Sequence, residues 1–273
     1  MKGFFSRDYE PVVSVDPGEP VVFSSFAAFW HWDADVQEAK PEGAGHPLYG
    51  PIEVRGARAG GTLAVKIDEV TPRRWGATFA PDVKLMWSLE GRTWTSERGA
   101  RVLAAPFLGV IGMPPPEPGE HPTGPPRTWG GNIDCKLLVA GTTLYLPIPV
   151  DGALVLAGDG HGAQGDGEVS GTGIECPIER AQLTFDLSAH ELRSPIARVE
   201  GAWVTFGFDE DLDLAAEQSV ATMLDLMERE LDLDRNHALA LASVVVDVRV
   251  TQVVNGVKGA HAVLRDDAIR MRA

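Results

Sequence analysis

The sequence predicts a mainly β protein with a smaller helical part towards its C-terminus. Its 273 residues include 30 glycines and 20 prolines, which favour tight turns and interrupt helices. Short apolar runs alternate with turn signals through much of the chain. Helical periodicity is pronounced only from Leu212 to Leu231, where apolar residues recur at steps of three and four.

The N-terminal region is predicted to consist of strands. Residues 12–15 and 21–23 are apolar and flank a turn signal at residues 16–19, a pattern typical of a hairpin. Alternating sequences predict further strands at residues 52–55 and 62–67.

Proline and glycine dominate the middle of the chain. Residues 113–131 contain seven prolines, and we predict a long ordered loop there because apolar strands continue on both sides. Residues 144–146 and 153–156 are predicted to pair as strands. The glycine-rich run at residues 158–173 cannot form a helix. Beyond the first helix, a second is predicted from an N-cap at Asp234 through Ala242, followed by a buried strand at residues 244–254.

Composition restricts the partners of the chain. A formal net charge of −15 argues against nucleic acid and anionic membrane surfaces, because like charges repel. A small neutral molecule is an easier partner. No stretch approaches the ~20 apolar residues that cross a bilayer, and we see no signal peptide. With only two cysteines, no disulfide framework is expected. We therefore expect a soluble, cytoplasmic protein.

The residues best suited to chemistry lie at positions 158–168. Asp159 and His161 are two residues apart, so an extended backbone projects both side chains to the same side. Asp166 and Glu168 repeat that relation. The glycines between them leave room for several ligands to converge on one point. Imidazole with carboxylates suits zinc, manganese or iron, and Glu168 is then available as a general acid or base.

Other interpretations of this segment stay open. Gly160-x-Gly162-x-x-Gly165 matches a dinucleotide fingerprint, but the glycines that follow interrupt the helix which that motif requires. A calcium-type acidic loop is an alternative, although histidine is a poor ligand for so hard a cation. Plain hairpin turns are another. Cys135 is a candidate thiol nucleophile, but a small buried apolar residue is the favoured interpretation, and no Gly-x-Ser-x-Gly elbow is present.

Taken together, several stretches resemble the acetamidase/formamidase family. They occur in order along the chain, at residues 46–52, 107–112, 118–121, 130–134, 144–147, 158–168 and 243–252. The resemblance implies a β-sandwich core with an additional α+β part that contains the C-terminal helical segment. It implies one unit over residues 1–273, with a subdivision into a β-sandwich at 1–200 and an α+β part at 201–273. A homodimer or larger homo-oligomer is also implied.

The resemblance further implies metal-dependent hydrolysis of linear or cyclic carboxamides to a carboxylic acid and ammonia, with a small neutral amide as substrate. The implied cofactor is a divalent metal, with zinc favoured, bound by Asp134, Asp159 and His161. Glu168 and Gln164 are implied as acid/base and substrate-orienting groups. The expected substrate-binding residues are His31, His46, His121 and Asn132.

Two points stay open at this stage. The first is whether Glu120, Asp166 or Glu175 joins the site. The second is the substrate, since the aromatic residues around His31 replace a more polar segment of the family and indicate something bulkier or more apolar than formamide. A non-catalytic β-sandwich that binds a metal or small ligand on the same scaffold is the alternative function.

Overall fold

A computed structural model of the chain describes residues 1–30 and 40–269. The described residues form seventeen β-strands and two α-helices. The strands are β1 (Val13–Val15), β2 (Pro20–Phe23), β3 (Leu48–Val54), β4 (Thr62–Pro72), β5 (Trp75–Ala80), β6 (Val83–Glu90), β7 (Thr93–Ser96), β8 (Arg101–Leu103), β9 (Phe107–Gly112), β10 (Gly130–Asn132), β11 (Thr143–Pro147), β12 (Val155–His161), β13 (Ile178–Ser188), β14 (Ile196–Val199), β15 (Ala202–Asp209), β16 (Val246–Gln252) and β17 (Lys258–Arg265). The helices are α1 (Leu212–Leu231) and α2 (Arg235–Val245). The predicted mainly β class with a C-terminal helical segment is confirmed.

Two of the sheets share the main hydrophobic core and form a sandwich. One has the strand order β1-β3-β12-β9-β10, and the other β16-β17-β15-β14-β11-β4-β13-β2. Buried side chains such as Ile52 and Ile111 from the first sheet belong to the same cluster as Val65 and Phe185 from the second. The larger sheet continues across residue 200 through the pairing of β14 with β15. The subdivision at that residue stays a prediction.

A third sheet, with the order β5-β6-β7-β8, is one that the sequence analysis did not anticipate. It adjoins the site through an isolated bridge between Ala77 and Glu175. Trp94 on β7 is fully buried and donates its indole N–H to the backbone oxygen of Gly162 at 3.1 Å. The sheet therefore supports the segment that follows β12.

Both predicted strand pairings are wrong, although all four strands exist. β1 pairs in parallel with β3, whereas β2 pairs with β13 in the other sheet. In the same way β11 pairs with β4 and β14, whereas β12 pairs with β3 and β9. Turn residues report a local change of direction. Which sheet the next strand joins depends on packing between distant segments.

The helices follow their local sequence signals. α1 spans the predicted residues, and Asp211 caps it by accepting a hydrogen bond from the backbone of Asp213. Asp234 caps α2 as predicted, although this helix continues past Ala242 to Val245. β16 was predicted as a buried strand, but it lies at the edge of its sheet and three of its residues are exposed. Neither described helix has the length and apolar composition that crossing a bilayer demands.

The neighbouring strands β12, β9 and β10 determine where the candidate site forms. His161 pairs with Phe107, and Asn132 pairs with Val110. The loop between β9 and β10 is irregular, as predicted, and is held by two backbone hydrogen bonds between Phe5 and His121. Because β10 and β12 flank β9 and both run antiparallel to it, the two strands end at the same edge of the sheet.

One buried histidine makes stability sensitive to pH. His261 on β17 is fully buried, and its Nδ1 lies 2.9 Å from Thr251 Oγ1. Burial lowers the pKa of His261 to about 4, Arg249 and Lys136 act in the same direction, and Asp166 opposes them. The unfolded chain takes up this proton near pH 6.5. The stabilising effect of the neutral ring is therefore complete above pH 6.5 and is lost as the pH falls towards 4.

We expect His261→Asn, which keeps a polar atom near the Nδ1 position, to weaken this pH dependence. The difference in unfolding free energy between pH 7.5 and pH 4.5 should shrink by about 2 kcal/mol relative to the unmodified chain. Urea unfolding of both proteins at each pH measures it, and the comparison cancels the titration of the carboxylates. Parallel pH dependences of the two proteins would contradict the assignment.

Candidate active site

A cavity of about 560 Å³ opens where β10 and β12 end. Among the described residues, its apolar lining comes from Ala28, Phe29, Trp30 and Pro47. Its polar lining comes from Lys40, His46, Asn132, Asp134, Asp159, His161, Glu168, Thr172, Glu175 and Asn255. A mostly concave site with an apolar wall and a small set of convergent polar groups is typical of small-molecule binding.

His161 lies at the centre of the acidic residues. Its Nε2 is 2.9 Å from Glu175 Oε1 and 3.7 Å from Asp159 Oδ2, and its Nδ1 is 3.9 Å from Asp134 Oδ1. These four residues and Glu168 are each no more than 6% exposed. The site therefore concentrates four carboxylates around one imidazole, away from bulk water.

The side chains form two overlapping groups of ligand atoms. One is Asp134, His161 and Glu168, and the other is Asp159, His161 and Glu175; within each, one atom per residue lies within 4.8 Å of the others. Gly109 on β9 lies between the two groups, within contact distance of an acid from each. A Cβ placed there would lie 2.5 Å from Asp134 Oδ1 and 2.5 Å from Asp159 Oδ2. The carboxylate oxygens thus converge where the sequence has no side chain.

A left-handed backbone conformation orients three of the acids. Asp134, Asp159 and Glu168 have φ values of 51°, 61° and 43°, in the left-handed region that residues with a Cβ seldom adopt. Such outliers persist only where the surrounding structure over-determines them, and they concentrate at functional sites. Four of the eight described non-glycine residues with positive φ line the cavity, namely these three acids and Asn255.

Burial and mutual repulsion shift the protonation of this cluster. Burial raises the pKa of Asp134 well above its usual value, and the neighbouring carboxylates of Glu168 and Asp159 raise it further. Burial likewise raises the pKa of Glu175, and it raises that of Glu168 to about 7. Burial alone would lower the pKa of His161, but Glu175, Asp159 and Asp134 outweigh it and raise that pKa. The cluster therefore retains protons unless a cation replaces them.

Unpartnered atoms indicate where such a cation fits. Asp134 Oδ1, His161 Nδ1 and Glu168 Oε2 are buried, and none has a hydrogen-bond partner among the described residues. They belong to the three residues of the first ligand group. Nε2 of His161, by contrast, bonds to Glu175, which also accepts a hydrogen bond from the backbone of Gly173 at 2.8 Å. Two carboxylates and an imidazole that is held by a third carboxylate suit zinc or a similar divalent metal.

The structure brings most of the predicted site residues to one cavity. Asp134, Asp159, His161, Glu168 and Asn132 all line it, and so does His46. The remaining candidates, Gln164, His121 and His31, are not among the described residues that line the cavity. Gln164 does not line the cavity; its side chain donates to the backbone oxygen of Asp134 at 2.8 Å.

Among the histidines, His121 lies apart from the described cavity lining, and its Nε2 is 3.1 Å from the backbone oxygen of Glu117. The predicted contact of His121 with substrate therefore gains no support from its position. His31 falls outside the residues that the structure describes.

Of the three acids left open, only Glu175 lines the cavity. Glu120 accepts a hydrogen bond from Tyr9, and Asp166 forms an ion pair with Lys136 at 3.0 Å. Glu175 is brought to the site by its pairing with His161 across an isolated β-bridge, a long-range feature with no local signal.

Asn255 is a site residue that the sequence analysis missed. It follows β16 in a left-handed conformation, with φ of 63°. Its Nδ2 donates to Gln252 Oε1 at 3.1 Å and lies 3.4 Å from Asp134 Oδ2. Asn255-Gly256 is a common turn dipeptide, and that turn signal could have marked this position.

The two buried cysteines do not supply a nucleophile. Burial raises the pKa of Cys135 to about 12 and also raises that of Cys176. The thiolate is the reactive form of cysteine. Burial therefore favours the interpretation of Cys135 as a packed apolar residue.

Fold and site together define a β-sandwich protein with a buried carboxylate–histidine centre that opens into a small-molecule cavity. The model of the acetamidase/formamidase family matches residues 119–264. The chain belongs to this family.

Two named proteins with similar sequences agree with membership of this family. An acetamidase of Mycolicibacterium smegmatis is 26% identical over 59% of this chain and 61% of its own length. A putative formamidase of Schizosaccharomyces pombe is 27% identical over 55% of each protein. The chain thus spans 61% and 55% of the lengths of these two curated relatives.

Solved structures match over nearly the whole chain. The acetamidase of Bacillus halodurans superimposes with a TM-score of 0.87 at 29% identity, covering 96% of this chain and 94% of that one. A predicted acetamidase/formamidase of Thermoanaerobacter tengcongensis gives 0.86 at 27% identity, with 96% and 92% covered. The described fold is therefore shared along its length with these structures.

Substitution of Gly109 tests directly whether the carboxylates converge on one point. We expect Gly109→Ala to weaken zinc binding at least ~10-fold, because its methyl group occupies the space between Asp134 and Asp159. Isothermal titration with zinc measures the change, and circular dichroism verifies the fold. Gly124→Ala is the matched control, since nothing lies within 4 Å of a Cβ there. Zinc affinity equal to that of the unmodified protein would show that the two carboxylates do not converge on a shared position for a cation.

Proposed function

We propose that this protein hydrolyses carboxamides to the carboxylic acid and ammonia, with a divalent metal at the buried centre. The observation that carries the proposal is the set of three unpartnered buried atoms on Asp134, His161 and Glu168 beside the cavity. Membership of the acetamidase/formamidase family supports amides as the substrate class. The cytoplasmic location and the homo-oligomeric state stay predictions from the sequence.

The hydrogen bond to Glu175 decides which nitrogen of His161 would be available to a metal. Nε2 carries the proton that Glu175 accepts at 2.9 Å, so a neutral ring presents the lone pair of Nδ1. Nδ1 lies on the side of Asp134. We therefore assign Asp134, His161 and Glu168 as the residues that would hold the metal. The ligand set expected from the sequence had Asp159 in place of Glu168.

A bound metal would act as a Lewis acid and would lower the pKa of the water molecule that it binds. The protein residues orient the amide and move protons. Asn132 Oδ1 is buried, lines the cavity and has no described partner, while Asn132 Nδ2 is fixed by the backbone oxygen of Gly124 at 3.0 Å. The free oxygen is an acceptor for an amide N–H of the substrate. Asp159 lies between His161 and His46, where its carboxylate accepts a proton from water and returns it to the departing nitrogen.

The size of the cavity favours a larger amide than formamide. About 560 Å³ lies within the range of drug-sized ligands, whereas acetamide is hardly larger than a few water molecules. Trp30 is buried and fixed by a hydrogen bond from its Nε1 to Gly45 O at 2.7 Å, and Phe29 packs edge-on against Phe79. An amide with an aromatic or other apolar acyl group would cover this wall. A neutral substrate also suits a site rich in carboxylates.

Substitution of the acids separates metal binding from proton transfer. We expect Glu168→Gln to reduce zinc affinity at least ~10-fold, because a ligand is lost. Asp159→Asn should keep the zinc but lower kcat for amide hydrolysis by ~10²–10⁴. Zinc content by mass spectrometry and ammonia release measure the two effects. Asp166→Asn is the matched control, because Asp166 pairs with Lys136 outside the cavity.

The opposite pattern would support the ligand set expected from the sequence. In that case Asp159→Asn loses the zinc, while Glu168→Gln keeps it and loses turnover. If the zinc-loaded protein binds short, cyclic and aromatic amides but releases no ammonia from any of them, the chain is a binding protein and the hydrolase proposal fails.

A second test addresses the apolar wall. We expect Trp30→Ala to raise KM for benzamide by ~10-fold or more while KM for acetamide changes less, because a lost apolar contact is worth about 1–3 kcal/mol. Ammonia release with both substrates gives the ratio, and acetamide is the internal control. Equal changes for the two amides would mean that the wall does not contact the acyl group.

A further inference from the structure

His46 is held by a single buried hydroxyl through two of its atoms. Its backbone N–H donates to Thr123 Oγ1 at 2.9 Å, and its ring Nδ1 lies 2.9 Å from the same oxygen. Thr123 is fully buried. Gly45 allows this approach, because a Cβ on it would lie 2.0 Å from Thr123 Oγ1. The arrangement is therefore close and specific.

The hydrogens of this contact can be assigned by elimination. A threonine hydroxyl has one hydrogen and two lone pairs, and the backbone N–H of His46 occupies one lone pair. Nδ1 is the other described partner of this oxygen. If Nδ1 carried a hydrogen, the hydroxyl hydrogen of Thr123 would be buried without an acceptor, which is strongly disfavoured. The hydroxyl therefore donates to Nδ1, and the neutral ring carries its hydrogen on Nε2.

The protonated nitrogen faces the cavity. His46 lines it, and Nε2 lies 4.0 Å from Asp159 Oδ2, too far for a hydrogen bond. A nitrogen that carries hydrogen has no lone pair for a metal, which agrees with the absence of His46 from both described ligand groups. Its N–H remains available to a ligand in the cavity.

We propose that Thr123 locks His46 as the Nε2–H tautomer, and that this N–H donates a hydrogen bond to the carbonyl oxygen of the bound amide. The second half of the proposal rests on the proposed amide hydrolysis. His46 keeps its proton throughout. The bond strengthens as negative charge develops on the oxygen during attack at the carbonyl carbon, so it stabilises the transition state more than the substrate. Thr123 acts through His46 as a positioning residue.

The tautomer is measurable without any activity. The zinc-loaded full chain, labelled with ¹⁵N-histidine, gives long-range ¹H–¹⁵N correlations that distinguish Nε2–H from Nδ1–H rings. His46→Gln identifies the signals by their loss. We expect Nε2–H for His46 in the unmodified protein and in Thr123→Ser, and a shift towards Nδ1–H in Thr123→Val. A ring with Nδ1–H, or one with Nε2 bound to zinc, in the unmodified protein overturns the proposal.

Kinetics test the role of the N–H. We expect His46→Ala to lower kcat for the amide by ~10²-fold, the usual effect of removing an oxyanion donor, with a smaller change in KM. Thr123→Val should lower kcat in the same way, and Thr123→Ser should recover most of the loss because it restores the hydroxyl. Thr142→Val removes another buried hydroxyl, bonded to Val139 O at 2.8 Å outside the cavity, and controls for a general loss of stability.

The two measurements keep the proposals separate. If Thr123→Val changes the tautomer but not kcat, His46 does not donate to the carbonyl oxygen, and that half of the proposal fails. If Thr123→Val lowers kcat no more than Thr142→Val does, the same conclusion follows. Should no amide be turned over, the proposed hydrolysis fails, while the NMR result still decides whether Thr123 sets the tautomer.

Discussion

Burial of several carboxylates around one imidazole is the constraint on which this structure depends. Asp134, Asp159, Glu168 and Glu175 are each at most 6% exposed and surround His161. Ionised carboxylates so close together repel, and each loses hydration on burial. Protons or a cation must offset that charge. A divalent cation does so at one point and leaves the carboxylates ionised, whereas protons would remove the charge that makes them ligands.

A rigid framework is needed to hold charged groups in an arrangement that repulsion opposes. The sandwich provides it, because β12 is paired on both sides, with β3 and β9. Left-handed backbone at Asp134 and Asp159 costs roughly 1–2 kcal/mol for a residue with a side chain, although Asp tolerates it better than most. Glycine at 109 leaves the space into which the two carboxylates point. Core packing, backbone strain and a missing side chain thus act together on one small volume.

Sequence patterns predicted what is local and failed where distant segments decide. The limits of α1 and the caps at Asp211 and Asp234 follow from side chains within a few residues. Strand positions around residues 13–15 and 143–147 also followed from apolar runs, yet their partners did not. The same division applies at the site. The two-residue spacing of Asp159 and His161 predicted their proximity, and the two side chains do lie close together, although the backbone at Asp159 is left-handed and not extended as the prediction assumed. Glu175 and Asn255 reach the cavity only through long-range pairing, which no spacing in the sequence encodes.

The two imidazoles of the described cavity lining show how one residue type can take opposite roles. Each has a buried partner: Glu175 accepts from Nε2 of His161, whereas Thr123 donates to Nδ1 of His46. In His161 that partner leaves a lone pair on the side of Asp134, which suits a cation. In His46 it leaves an N–H facing the cavity, which suits an oxygen that becomes negative. Because a neutral imidazole has one donor and one acceptor, the residue behind the ring determines the chemistry in front of it. Replacing the acceptor behind His161 by a donor, or the donor behind His46 by an acceptor, would therefore exchange the nitrogen that carries the hydrogen with no change of the histidine itself.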